Sequence, residues 1–178
     1  MTVRAPPAWQ NDAMRMDLFP RLGFGLVLAV SAALLAFAYY AQFFQGYEPC
    51  PLCILQRFAF IIIAVGALAG AVHGSRGALR WFYGAVVFAG GIWGVVTAGR
   101  HLWLQSLPAE DVPECGPGFN FMVEYFSLFE AVKSAFTGSG ECAEVDWTFL
   151  GLAMPAWTLI WYVLLMLVTA ISLRRTPR

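Results

Sequence analysis

Residues 49–75 read PCPLCILQRFAFIIIAVGALAGAVHGS. Two cysteines spaced Cys-x-x-Cys and one arginine, Arg57, open the stretch, and the 18 residues 58–75 carry no charge. A helix crosses the hydrocarbon core of a bilayer in about 20 mainly apolar residues. This run becomes a full span once it begins near Ile54. The same test works outward along the chain: residues 22–47, 81–99 and 147–173 are also free of charge, in runs of 26, 19 and 27 residues. Four transmembrane helices are expected, at about 22–44, 52–73, 81–101 and 148–172. Gly66, Gly70, Gly84, Gly90, Gly91, Gly94 and Gly99 would weaken soluble helices, whereas in a bilayer small residues let helices approach closely.

Composition agrees. Of 178 residues, 60% are hydrophobic and 12% charged, against about 45–50% and about 25% in soluble domains. So much apolar surface cannot all be buried in a soluble chain of this size. Zero net charge, with no basic run, gives no sign of nucleic acid as a partner. No internal repeat or low-complexity segment is present. The expected fold is an all-α integral membrane protein, one domain over 1–178. It is a four-helix bundle with tails at 1–21 and 173–178 and loops at about 45–51 and 102–147.

Orientation follows from the basic residues. Arg4, Arg15, Arg21, Arg76, Arg80, Arg174, Arg175 and Arg178 fall on the side of the termini with only two acids, a net +6. Arg57, Arg100 and Lys133 fall on the other side with nine acids, a net −6. The positive-inside rule then puts both termini in the cytoplasm and both loops outside. A cleaved signal sequence ending at Ala36-Phe37-Ala38 is the rival for the first span. Signal peptides use apolar regions of about 7–15 residues, and this run has 26.

All four cysteines, Cys50, Cys53, Cys115 and Cys142, lie on the outer side. Outside a bacterial inner membrane thiols are oxidised, and two structural disulfides are the plain reading. For the Cys-x-x-Cys pair that reading is weak, because so small a ring stabilises a fold little by loop entropy. A helix start lowers a thiol pKa through unpaired N–H groups and the macrodipole, and Pro51 suits the first helical turn. A redox-active pair is preferred. A four-thiolate zinc site is the metal alternative. Such sites favour two Cys-x-x-Cys knuckles, while Cys115 and Cys142 are 27 positions apart with loop-like acidic flanks. No metal is expected.

Arg57 lies one helical turn after Cys53, on the same face. A cation toward the centre of a span costs about 2.5–3.5 kcal/mol, so an anionic or accepting partner should compensate it. Either Arg57 snorkels to the headgroups, or it stabilises the Cys53 thiolate and the oxygen of an electron acceptor beside it. A bilayer-soluble quinone is the evident sink for the electrons of a membrane dithiol. For His101 the sequence alone gives an interfacial histidine.

The run Pro49 to Arg57, the Gly-Glu-Cys-Ala-Glu around Cys142 and the stretch Trp147 to Trp157 (WTFLGLAMPAW) resemble the disulfide bond formation protein B (DsbB) family over essentially residues 18–173. Members are inner-membrane enzymes that reoxidise a periplasmic thioredoxin-fold oxidase, DsbA, and reduce quinone. The resemblance implies that Cys115 is attacked by the partner's thiolate and that Cys142 is its bonded mate. It further implies that Cys50 exchanges with Cys142, that Cys53 faces the quinone (ubiquinone or menaquinone), and that Arg57 and His101 line the quinone site. The loop after Cys115 departs from the family's best-known pattern.

In residues 121–137, Met122, Tyr125, Phe129, Val132 and Phe136 share one helical face, and Glu124, Ser127, Glu130 and Ser134 the other. That pattern predicts an amphipathic helix lying along the membrane surface or packing on the bundle. Gly116, Pro117 and Gly118 after Cys115, with Gly138 and Gly140 before Cys142, give both sulfurs adaptable backbone. Two other functions remain open. One is a paralogue with a dedicated substrate, or an enzyme like vitamin K epoxide reductase, in which the loop cysteines precede the Cys-x-x-Cys. The other is a non-enzymatic membrane scaffold with structural disulfides.

Overall fold

The computed structural model describes residues 8–73, 78–113, 128–137, 140–145 and 147–174. Four long helices, α1 (Ala8–Gln45), α2 (Pro51–His73), α3 (Ala78–Gln105) and α5 (Met154–Arg174), dominate, with a short α4 (Leu128–Thr137) between the last two. Single 3₁₀ turns span Ala109–Asp111 and Gly140–Cys142, and strands β1 (Thr148–Phe149) and β2 (Leu152–Ala153) form a small antiparallel hairpin. The apolar lengths are 26 residues in α1 (Pro20–Gln45), 23 in α2, 28 in α3 and 21 in α5. Each is enough to cross a bilayer. The fold is a four-helix transmembrane bundle.

The helices close around one core. Phe24 and Val27 of α1 meet Ala59, Phe60, Ile63 and Ala67 of α2, Val87 and Ala98 of α3, and Tyr162, Leu165 and Leu173 of α5. The outer surface is apolar as well: Leu22, Val65, Val72, Phe82, Ile92 and Leu167 are exposed, as a lipid-facing surface requires and a soluble surface of this extent would not tolerate. Between α3 and α5 contact depends on glycine. A Cβ on Gly91 would stand 2.6 Å from Met166, and one on Gly94 would stand 2.5 Å from the Tyr162 ring.

Three boundaries differ from expectation. The first helix begins at Ala8 rather than near 22, so its charged first turns precede the apolar run, with Pro20 at the junction. The third continues to Gln105, which places His101 inside it. The fourth begins at Met154, not 148, because the preceding residues fold back as the hairpin, pairing Thr148 with Ala153 and Phe149 with Leu152. Leu150 (φ 51°) and Gly151 (φ 78°) form its turn. Two consecutive positive φ values match the twist of a two-residue hairpin and end any helix there. Trp157 anchors the hairpin by donating Nε1–H to the Phe149 carbonyl at 3.1 Å.

Of the expected amphipathic helix, Leu128–Thr137 is helical, whereas Met122, Glu124, Tyr125 and Ser127 lie outside the described residues. Val132, Ala135 and Phe136 pack on the bundle beside Cys50 and Cys142, while Phe129 is exposed. The packing alternative holds for this part. Arg100 ties α4 to α3, donating Nε–H to the Phe136 carbonyl at 3.2 Å and lying over the Trp103 ring. That carbonyl is in the last turn of α4, where carbonyls lack helical partners.

Candidate active site

Cys50 is the N-cap of α2. Its carbonyl accepts the first helical bond from Ile54 N–H at 3.1 Å, and its sulfur accepts from Cys53 N–H at 3.3 Å. The second bond is the role a polar N-cap side chain plays. Pro51 follows at the first helical position, where its missing N–H would have had no partner. The geometry places the two sulfurs 2.9 Å apart, both at the positive end of the helix.

Cys142, in the turn Gly140–Cys142, is fully buried in the same apolar cluster as Cys50, with Leu52, Leu55, Leu104 and Ala135. Hydrogen bonding to Cys142 and Cys53, together with burial, pushes the Cys50 thiol well above its ordinary value. Cys50 therefore keeps its proton at neutral pH. The fourth cysteine, Cys115, lies outside the described residues, as do Gly116, Pro117, Gly118 and Gly138.

His101 is buried on α3 and turns Nε2 toward Cys50, 3.9 Å from its sulfur. Its Nδ1 meets the Gln56 carboxamide at 3.2 Å. The other end of that amide lies 2.8 Å from Thr158 Oγ1 on α5. Tyr162 donates its hydroxyl to the Gln56 carbonyl at 2.8 Å and stacks on Phe60, with ring centroids 4.3 Å apart. A polar chain thus joins α2, α3 and α5 directly beneath the cysteines. Inside a bilayer such groups must satisfy one another.

Cys50, Cys53 and His101 bring their donor atoms within 4.8 Å of one another. Two thiolates and an imidazole are also zinc donors. This set contains a histidine, whereas the metal alternative weighed from the sequence, and disfavoured by the spacing of Cys115 and Cys142, was four thiolates.

Beside these groups opens a cavity of ≈ 380 Å³, within the range of about 300–1,000 Å³ usual for small-molecule sites. Leu34, Leu35, Phe60 and Trp161 give it apolar walls, and Cys50, Cys53, Gln56, Arg57 and His101 its polar rim. Arg57 donates to Gln42 Oε1 and, at 3.2 Å, to the Ala38 carbonyl, both on α1, and lies over the Tyr39 ring at 5.0 Å. These partners are neutral. They hold the guanidinium at the cavity without cancelling its charge.

The structure thus brings together Cys50, Cys53, Cys142, Arg57 and His101. Gln42, Gln56, Thr158 and Tyr162 were missed by sequence reasoning. The available signal was polarity inside apolar spans: amide and hydroxyl groups at membrane depth are costly unless paired, and Gln56 directly precedes Arg57.

A multi-pass helical membrane protein whose Cys-x-x-Cys caps a helix through its buried first cysteine, beside a histidine and an apolar cavity, is, by fold and site, a membrane thiol redox protein. A family model described as disulfide bond formation protein DsbB matches residues 20–172. Proteins named disulfide bond formation protein B are similar to nearly the whole chain. The one from Marinobacter nauticus is 46% identical over 157 residues, 87% of this chain and 94% of its own. That from Hahella chejuensis is 41% identical over 172 residues, 97% and 99% of the two chains, and that from Nitrosococcus oceani 45% over 161, 90% and 95%. The chain belongs to the DsbB family of disulfide bond formation proteins, and its class is that of disulfide-forming oxidoreductases.

Proposed function

We propose that the protein reoxidises a DsbA-like thioredoxin-fold dithiol protein in the periplasm and passes the electron pair to a membrane quinone, ubiquinone or menaquinone. One observation carries this reading. Cys142 is buried against the helix-capping Cys50–Cys53 pair, and that pair borders a largely apolar cavity lined also by Arg57 and His101.

The path for thiol–disulfide exchange is short. The partner's thiolate attacks Cys115 of a Cys115–Cys142 disulfide, and the partner leaves oxidised after its second thiol attacks the mixed disulfide. Cys142 then attacks Cys50 of a Cys50–Cys53 disulfide and releases Cys53 toward the cavity. The Cys115 thiolate cleaves the resulting Cys50–Cys142 bond, which re-forms Cys115–Cys142 and leaves Cys50 as a thiol. Exchange needs a thiolate nucleophile and an accessible disulfide, and the helix start favours negative charge at the leaving sulfur.

The cavity residues fit a quinone. Leu34, Leu35, Phe60 and Trp161 would pack its ring, and Arg57 and His101 would meet its oxygens. Bound there, it would supply the two-electron sink. Arg57, held by neutral partners, would keep its charge for that oxygen. The basic excess on the side of the termini supports placement in the bacterial inner membrane with both ends cytoplasmic.

Trapping tests the partner half. A Cys142→Ser variant is offered a thioredoxin-fold partner that keeps only its attacking cysteine, activated as a mixed disulfide with a small thiol. It should accumulate a disulfide-linked adduct through Cys115 as the small thiol leaves. The same adduct formed after Cys115 is also replaced by serine would contradict the scheme, as would none at all.

A further inference from the structure

Thr158 Oγ1 stands 2.8 Å from the outer end of the Gln56 amide and 2.9 Å from the Pro155 carbonyl. A hydroxyl has one proton and two lone pairs. If both neighbours are oxygens, one of these short oxygen–oxygen contacts has no hydrogen in it. The two ends of a glutamine amide are told apart only by the bonds each must make. With the Gln56 nitrogen toward Thr158, every contact is a hydrogen bond: the amide donates to Oγ1, and Oγ1 donates to Pro155. The Gln56 oxygen then faces His101 Nδ1 across 3.2 Å, where only an Nδ1–H can meet it. Neutral His101 has a single ring proton, so its other nitrogen, Nε2, points a bare lone pair at the Cys50 sulfur 3.9 Å away.

The geometry points to Gln56 and Thr158 as positioning residues that hold His101 in its Nδ1–H form, so that Nε2 takes the thiol proton of Cys50 when the Cys50–Cys53 disulfide re-forms. The proton-transfer half rests on the proposed dithiol oxidation; the hydrogen-bond half does not. In that step Cys50 and Cys53 lose two protons and two electrons as the S–S bond forms. The Cys50 proton passes to Nε2, and the quinone finally takes both electrons and both protons. His101 is thereby a base toward sulfur, and can donate toward the ring only once Nε2 has taken that proton. Thr158, on another helix, is the residue that keeps Nε2 bare.

The test uses the full chain in detergent, reduced and labelled with ¹⁵N-histidine. Nitrogen shifts of His101 should show a protonated Nδ1 and a bare Nε2 in the neutral ring. A proton on Nε2 overturns the inference. Thr158→Val should bring in the other tautomer and slow dithiol oxidation by a short-chain quinone roughly tenfold, at the low end of what general base catalysis supplies, displacing the histidine limb of the pH–rate profile. Thr158→Ser keeps a hydroxyl and should restore both. A Thr158→Val protein that folds with unchanged tautomer and pH profile overturns the positioning role. A wild-type protein with the expected tautomer that reduces no quinone overturns the proton-transfer half, and the proposed function with it, while leaving the hydrogen-bond assignment in place.

Discussion

The backbone N–H of Cys53 donates to the sulfur of Cys50 across 3.3 Å, so the first cysteine of the pair caps the helix that carries the second. Capping, burial and the neighbouring Cys142 sulfur give the two thiols unequal surroundings at adjacent turns. Cys50 is held in its protonated form.

A pH dependence follows for the reduced protein. The folded state holds the Cys50 proton more tightly than the unfolded chain, whose thiols titrate at about 8.5. The stability contributed is fully present below that pH and falls as pH rises above it, because the unfolded state releases its proton first. Thermal unfolding under reducing conditions should therefore drop above about pH 8.5, and Cys50→Ala should flatten that limb. A wild-type melting temperature no more pH-sensitive than that of Cys50→Ala would contradict the assignment.

Arg57 separates two roles by kinetics. Its neutral partners on α1 leave its charge available to an acceptor oxygen in the cavity. Loss of one hydrogen bond to a charged group costs about 1.5–3 kcal/mol, so Arg57→Ala should raise the quinone KM roughly tenfold or more and leave the KM for the dithiol protein unchanged. Equal quinone dependence in variant and wild type would return Arg57 to a snorkelling role.

Gly94 admits the Tyr162 ring. Gly94→Ala places a methyl group inside that contact and should cost about 1–3 kcal/mol, the usual range for overpacking. Tyr162→Phe loses only its bond to the Gln56 carbonyl and should cost about 0.6 kcal/mol, the average for such bonds in a bilayer. Unfolding in detergent should rank the two in that order. The reverse order would show that α3 and α5 are not held at the distance Gly94 sets.

How much of this was legible in the sequence depends on the kind of interaction. Charge-poor runs pointed to all four long apolar helices, because bilayer thickness dictates length and charge inside it is costly, with Arg57 the exception. The cysteine pair and its helix start were equally plain, since Cys-Pro-x-Cys carries its own capping geometry. The Leu150–Gly151 turn was not, because an apolar stretch through Trp147 to Trp157 looks like the head of a span, and leucine rarely takes positive φ. The polar chain from His101 through Gln56 to Thr158 was hidden for another reason. Its members are 45 and 102 positions apart, and only the packing of three helices brings them together.

Leu150 gives a stability test of that turn. It is 78% exposed at φ 51°, so its side chain gains little from burial while its backbone bears a left-handed strain of about 1–2 kcal/mol. Leu150→Gly should raise the melting temperature. A fall would mean that the exposed side chain is stabilised by a contact outside this chain.

The central claim is that the four cysteines form one electron path from a protein dithiol to a quinone. The direct measurement mixes purified protein in detergent with a reduced thioredoxin-fold dithiol oxidase and ubiquinone, following quinol formation and thiol loss together. One quinol should appear for each dithiol oxidised, and Cys53→Ser should abolish both. Full quinol production by Cys53→Ser, or dithiol oxidation by the wild-type protein without quinol, would contradict the relay.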